Sequence, residues 1–117
     1  MNHLVLGATG SLGRSIVKIL NQSNEDVRAF VRNREKAKKY LEDVNDIEII
    51  IGNAENETDI VNAAKGADIL YYGIHIPYQR WEKEARKLLN ASINAAIKTK
   101  TKLVFPGNVY VYKGVWR

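Results

Sequence analysis

The amino-acid sequence predicts a three-layer α/β domain, a parallel sheet of about five strands with helices on both faces. Three observations predict it. The apolar run Leu4-Val5-Leu6 leads directly into Gly7-Ala8-Thr9-Gly10-Ser11-Leu12-Gly13, with its glycines three apart, and a helical pattern follows. Short apolar runs then alternate with amphipathic stretches, as βαβ units require. Ile47–Ile51 is a β-branched run suited to a sheet buried on both faces.

Each element follows from its residues. His3–Leu6 reads as the first strand. Ser11–Asn21 reads as the first helix, with Leu12, Ile16, Ile19 and Leu20 on one face. Asp26–Val31 is the second strand. Asn33–Leu41 is a charged helix for which Asn33 is an N-cap. Ile47–Ile51 is the third strand. Glu57–Lys65 is the third helix, with Lys65 in its last turn and Gly66 just past its end. Ala67–Tyr72 is the fourth strand and Arg80–Lys98 a longer helix. Lys102–Phe105 is the fifth strand, closed by Pro106-Gly107. Right-handed crossovers and a turn of this kind after strand one predict the order 3-2-1-4-5.

Bulk properties exclude several classes of function. The 117 residues suit one domain, and 45% hydrophobic content suits a modest core. The absence of cysteine excludes disulfides, thiolate chemistry and cysteine-based zinc sites. Two histidines, His3 and His75, argue against a histidine metal site, and no metal is expected. No signal-peptide pattern precedes the first strand and no apolar run approaches membrane-spanning length, so the expected location is the cytoplasm and no membrane contact is expected. The net charge of +5 favours phosphate-bearing ligands. The basic residues alternate with Glu along Arg32–Lys36 and Arg80–Arg86, however, as on solvated helix faces, so nucleic acid is not expected as a partner.

The glycine turn is a device for holding phosphate. Gly7 permits a tight turn, Gly10 removes a Cβ that would keep the backbone from a pyrophosphate, and Gly13 lets the helix approach the strand. The helix start adds free N–H groups and a positive dipole end. Gly7, Ala8, Thr9, Gly10, Ser11, Leu12 and Gly13 are therefore candidate dinucleotide-binding residues. The end of strand two discriminates between nicotinamide cofactors, because an acid there bonds the ribose 2′-hydroxyl and repels a 2′-phosphate. This chain has Val31-Arg32-Asn33-Arg34 instead. Arg32 can fork onto a phosphate, which points to NADP, with NAD the alternative. Arg14 and Lys36 could add further charge, although Lys36, like Arg34, reads better as a solvated helix-end residue.

Gly7–Gly13, Val31-Arg32-Asn33, Gly52-Asn53-Ala54, Gly66-Ala67-Asp68 and Val104-Phe105-Pro106-Gly107-Asn108-Val109-Tyr110 together resemble the N-terminal part of an atypical or extended short-chain dehydrogenase/reductase. The nearest groups are the NAD-dependent epimerase/dehydratases that act on nucleoside-diphosphate sugars and the NmrA-like proteins. The likeness covers residues 2 to about 112 and implies a Rossmann fold. It implies that Asn53 and Ala54 lie at the adenine, where the family usually has Gly-Asp, and that Gly73 and Ile74 pass the cofactor's ribose and diphosphate. Asn53 offers its amide oxygen to the adenine amino group or caps its own loop. The helix over 80–98 corresponds to one that forms homodimers in extended members. Its stripe Trp81, Ala85, Leu88, Leu89, Ser92 and Ala96 must partly cover the sheet.

The family's redox chemistry uses Tyr-x-x-x-Lys, in which the lysine lowers the tyrosine pKa. The residues four places beyond the tyrosines are Val44, His75, Ile76, Glu82, Gly114 and Trp116, so the pair is absent and no catalytic residue is assigned. His75 reads as a loop residue. Family members continue with another strand, a catalytic helix and a substrate region. The expectation is thus one dinucleotide-binding domain over residues 1–117, cut short after strand five, from a parent acting on a sugar nucleotide by hydride transfer. The alternative is an NmrA-like regulator that senses NADP without catalysis.

Overall fold

The structure is a computed structural model and describes residues 1–74 and 81–104, the side chains of 81–85 excepted. The elements in chain order are β1 (Asn2–Leu6), α1 (Ser11–Gln22), β2 (Asp26–Val31), α2 (Arg34–Tyr40), β3 (Glu48–Ile51), α3 (Glu57–Ala64), β4 (Ile69–Tyr72), α4 (Trp81–Thr99) and β5 (Lys102–Val104). The five strands are all parallel and run in the order β3-β2-β1-β4-β5, as the sequence predicts. Registers such as Leu4 opposite Arg28 and Leu70 bring the C-terminal ends of β1, β2 and β4 to one edge. This is a Rossmann-type α/β fold.

Alternation along the central strands builds two cores. Leu4, Leu6, Phe30 and Leu70 pack against Ile60 and Ala63 of α3 and Leu88, Leu89 and Ala95 of α4. Val5, Val27, Ala29 and Val31 pack on the other side against Val17 of α1 and Ala37 of α2. A parallel sheet has to be covered in this way, since both of its faces are apolar. Among the described residues no helix is long and apolar enough to cross a membrane.

The structure corrects several local expectations. On α1 the buried residues are Gly13 and Val17, whereas Leu12 is 40% and Ile19 is 62% exposed. The inward stripe is Gly13, Ile16, Val17 and Leu20, a roll away from the expected face. The cause is Gly13: a Cβ there would lie 2.1 Å from the Gly7 carbonyl oxygen, so the helix is turned with this residue hard against the strand.

β3 is half-buried rather than buried on both faces, and Ile51 is 43% exposed, because it forms the sheet edge. β4 begins at Ile69, and Asp68 just before it ties the sheet end to β1, its Oδ2 accepting the Asn2 N–H at 2.8 Å. Lys65 lies beyond the last turn of α3. The cation that serves this helix end is Arg28 of β2, whose Nη1 donates to the Ala63 and Lys65 carbonyls at 2.9 and 2.6 Å. Leu88, Leu89, Ser92 and Ala96 of the α4 stripe are buried within the chain. Phe105–Gly107, like the segments 75–80 and 108–117, lies outside the described residues.

Candidate functional site

The site grows from the three-way meeting of β1, α1 and β4. Gly7 has φ +68°, and a Cβ on it would sit 2.9 Å from the Gly73 carbonyl oxygen. A Cβ on Gly73 would sit 2.7 Å from the Leu6 carbonyl oxygen and 2.9 Å from the Gly13 Cα. Gly7, Gly13 and Gly73 thus form one junction in which backbone packs on backbone. Gly10 differs from them. Its φ of −75° is open to any residue, and the nearest atom to a Cβ is the Gly7 carbonyl oxygen at 3.3 Å. Packing inside the chain demands glycine at Gly7, Gly13 and Gly73, and a ligand is the better reason for it at Gly10.

The turn is held by its own hydrogen bonds. Gly10 donates to the Gly7 carbonyl at 3.0 Å and Arg14 to the Gly10 carbonyl at 2.8 Å. Between them Ser11, Leu12 and Gly13 open α1 with N–H groups that have no intrahelical acceptor. Gly10 supplies no side-chain cap, and the first turn holds no acid. That end therefore keeps its donors and its positive dipole for an anion. Ala8 belongs to the scaffold: its side chain is fully buried and its N–H donates to the Phe30 carbonyl at 3.3 Å.

Neighbouring strand ends extend the site along one edge. At the end of β2 Val31 is buried, Arg32 is exposed, and the Asn33 side chain caps α2 through the N–H groups of Glu35 and Lys36 at 2.8 and 3.2 Å. Lys36 is exposed. Arg34 lies apart, lining a groove with Lys38, Leu41 and Ile49 toward the sheet edge. Beyond β3, Gly52 lies flat on the Phe30 ring, where a Cβ would come within 2.7 Å of Cζ. Its N–H donates to the Val31 carbonyl at 3.0 Å.

Asn53 is exposed at the strand end and is bonded within its own loop. Its amide oxygen accepts the Glu55 N–H at 2.9 Å, and its own N–H donates to Asp59 Oδ2 at 3.0 Å. This is the loop-capping alternative. The adenine amino group would have to share that oxygen with Glu55, while Ala54, half-buried, packs against the core below. Gly73 and Ile74 follow β4, with the Gly73 N–H on the Leu6 carbonyl at 3.1 Å and Ile74 resting on the core. His75 and the stretch after Val104 lie outside the described residues.

Sequence reasoning missed the packing role of Gly73 and the bond from the Asn53 N–H to Asp59. A lone glycine directly after a strand was the available signal for the first. The second joins a loop to a helix and has no sequence signature.

Along the edge the structure therefore sets the Gly52–Ala54 loop, Arg32, the glycine turn and Gly73-Ile74 side by side. They span the place between β1 and β4 where the chain changes direction, the ligand crevice of doubly wound sheets. Its chemistry is that of a cradle for a phosphate-linked ligand. A family profile of NAD(P)H-binding proteins matches residues 7–110, and the chain belongs to that family. It is an NAD(P)-binding domain of the Rossmann type.

Solved structures agree. A Rossmann-fold NAD(P)-binding family protein from Shigella flexneri is 25% identical with a TM-score of 0.72, over 89% of this chain and 50% of its own. Pen from Bacillus thuringiensis is 24% identical with a TM-score of 0.75, over 89% and 36%. A nucleoside-diphosphate-sugar epimerase from Pseudomonas aeruginosa is 16% identical with a TM-score of 0.74, over 90% and 32%. The last two show likeness of fold. This chain spans 32% to 50% of the length of these proteins. None of the curated proteins matches it.

Proposed function

We propose that the chain binds NADP(H) and supplies the dinucleotide side of a short-chain dehydrogenase/reductase of the epimerase/dehydratase type. The observation that carries this reading is the uncapped, acid-free start of α1, laid open by Gly10 and flanked by exposed Arg32 where NAD-specific sites have a carboxylate. In this reading the N–H groups of Ser11, Leu12 and Gly13 hold the diphosphate. Arg32 takes the 2′-phosphate through its planar fork. The Gly52–Ala54 loop forms the wall beside the adenine. Gly73 and Ile74 line the path toward the nicotinamide. The bound cofactor supplies reversible hydride transfer, and a sugar nucleotide is the substrate class of the epimerase relative.

The experiment is thermal unfolding of the chain with NADPH, NADH, ADP and no ligand. Ligand at 100 times its Kd stabilises the folded state by about 2.7 kcal/mol. NADPH is expected to raise Tm more than NADH, and Arg32→Met to bring the two together. Equal shifts would overturn the preference for NADP, and no shift with any nucleotide would overturn the binding site itself.

A further inference from the structure

β3 forms one edge of the sheet, and among the described residues no strand pairs with its outer side. The ladder to β2 sets the direction of its backbone groups. Alternate residues of a strand point these groups to the same side, and the Gly52 N–H goes to the Val31 carbonyl. Glu48 and Ile50 therefore turn theirs toward β2, and Ile49 and Ile51 turn their N–H and C=O groups outward. Natural edge strands are guarded by proline, lysine or an inward-pointing charge. This one reads Glu48-Ile49-Ile50-Ile51. Its one charge pairs with Arg28 at 3.7 Å, on the face of the sheet opposite Ile49.

Side chains give this edge an apolar floor and two charged ends. Ile49 packs with the core under α1 and α2, and it lines a groove with Ala37 and Leu41. Ile51 shares that face by alternation and is 43% exposed. Arg34 and, one turn on, Lys38 line the groove from α2, and Asp46 lines it from the segment before β3. The register separates these charges. α2 starts just past Val31, the partner of Ile51 at the C-terminal end of the strands, whereas Asp46 precedes Glu48 at the N-terminal end. All three are exposed, and among the described residues none has an ion-pair partner. A groove that is basic at one end and acidic at the other is complementary to a reversed copy of itself. A partner of one sign would meet one of the two ends unfavourably.

We infer that β3 is a self-association edge, at which two copies of this chain pair their β3 strands antiparallel about a two-fold axis at Ile50. In that register Ile49 and Ile51 of one copy exchange ladder bonds with Ile51 and Ile49 of the other. The exposed Ile51 is thereby covered beside Ile49 of the second copy, and the Arg34 end of each groove meets the Asp46 end of its mate. The two sheets become one sheet, and neither keeps an open β3 edge. This surface is distinct from the α4 stripe, whose Leu88, Leu89, Ser92 and Ala96 are buried within the chain.

Sedimentation equilibrium of the chain and three variants, Ile51→Lys, Arg34→Glu and Asp46→Lys, tests this, with far-UV circular dichroism to confirm that each is folded. At about 100 µM, a concentration suited to a small interface, the parent is expected to show the mass of two chains. Each variant should weaken association at least about tenfold, since it sets a charge on the edge or like charges across it. An equal mixture of Arg34→Glu and Asp46→Lys should recover association to within about threefold of the parent. There the new glutamate of one chain meets the new lysine of the other, and the native Arg34 and Asp46 meet at the second contact. Asp46 has φ +61°, and Lys100 holds φ +56° in the same chain, so a lysine can take that conformation. A monomeric parent would overturn the inference, as would a mass that grows past two chains. So would a dimer that survives Ile51→Lys and Arg34→Glu, which would lie on another surface, or a mixture that does not recover. Should Asp46→Lys fail to fold, Ile51→Lys and Arg34→Glu decide.

Discussion

Three helices in this chain begin after a strand and a short loop, and they treat their first turn in two ways. α2 and α3 are closed by asparagines: Asn33 accepts from Glu35 and Lys36, and Asn56 from Thr58 and Asp59. Each also carries acid in the first turn, Glu35 in one and Glu57 and Asp59 in the other, which offsets the positive dipole end. α1 has a glycine at the cap position, no side-chain bond and no acid. Helix starts that serve only the fold are satisfied from within, and the one at the crevice is left without a side-chain cap. The same contrast holds for the glycines. Gly7, Gly13 and Gly73 are fixed by backbone contacts that a Cβ would make at 2.9, 2.1 and 2.7 Å, whereas at Gly10 the nearest contact is 3.3 Å.

This comparison can be broken by substitution. The largest effect is expected from Gly13→Ala, whose methyl would overlap the Gly7 backbone. Stability should fall by on the order of 3 kcal/mol, read by urea unfolding. Gly10→Ala should change stability by under about 1 kcal/mol yet remove most of the Tm rise that NADPH produces. If the two variants lose stability equally, the separation between packing glycines and a ligand glycine is wrong.

Asn56→Ala removes a helix cap and should cost about 1 kcal/mol while the nucleotide shift in Tm stays intact. Ser11→Asp sharpens the contrast from the other side, since it gives α1 the acid that α2 and α3 already have. The ligand-free chain should gain about 0.5 kcal/mol through the helix dipole. The added carboxylate should also oppose NADPH binding, and a variant that still binds normally would place the phosphates elsewhere.

The smallest effect concerns the start of α3. Hydrogen bonds from Lys98 and Asn94 hold the Glu57 carboxyl below the usual carboxylate range. A carboxyl with a depressed folded pKa adds stability above its unfolded pKa, and this is lost as pH falls through the folded value. Lys98→Met should therefore lower stability slightly at neutral pH, and the difference from the parent should vanish in acid. Unfolding curves at several pH values would check it. A difference that persists below the carboxylate range would exclude the ion pair as its cause.

Much of the site was legible because its signals are local. The spacing of Gly7, Gly10 and Gly13, the missing acid beside Arg32, and Asn33 as a cap all depend on residues a few places apart. Asn53 shows the limit. From sequence its oxygen had two uses, and the structure supplies the one made within the chain, the bond from Glu55, together with a bond to Asp59 of α3 that has no local signal.

The sequence by itself determined the alternation of strands and helices, the parallel order of the sheet and the phosphate turn. Periods of 2 and 3.6 and the need for a positive φ are properties of short segments. Only the tertiary structure decided the roll of α1 about its axis, the half-buried state of β3, the capping of α3 by Arg28 and the approach of Arg14 to the Tyr40 ring. Each depends on the closest approach of elements distant in the chain. An amphipathic pattern says that a face will be buried, and the tightest backbone contact, here Gly13 on Gly7, says which face it is.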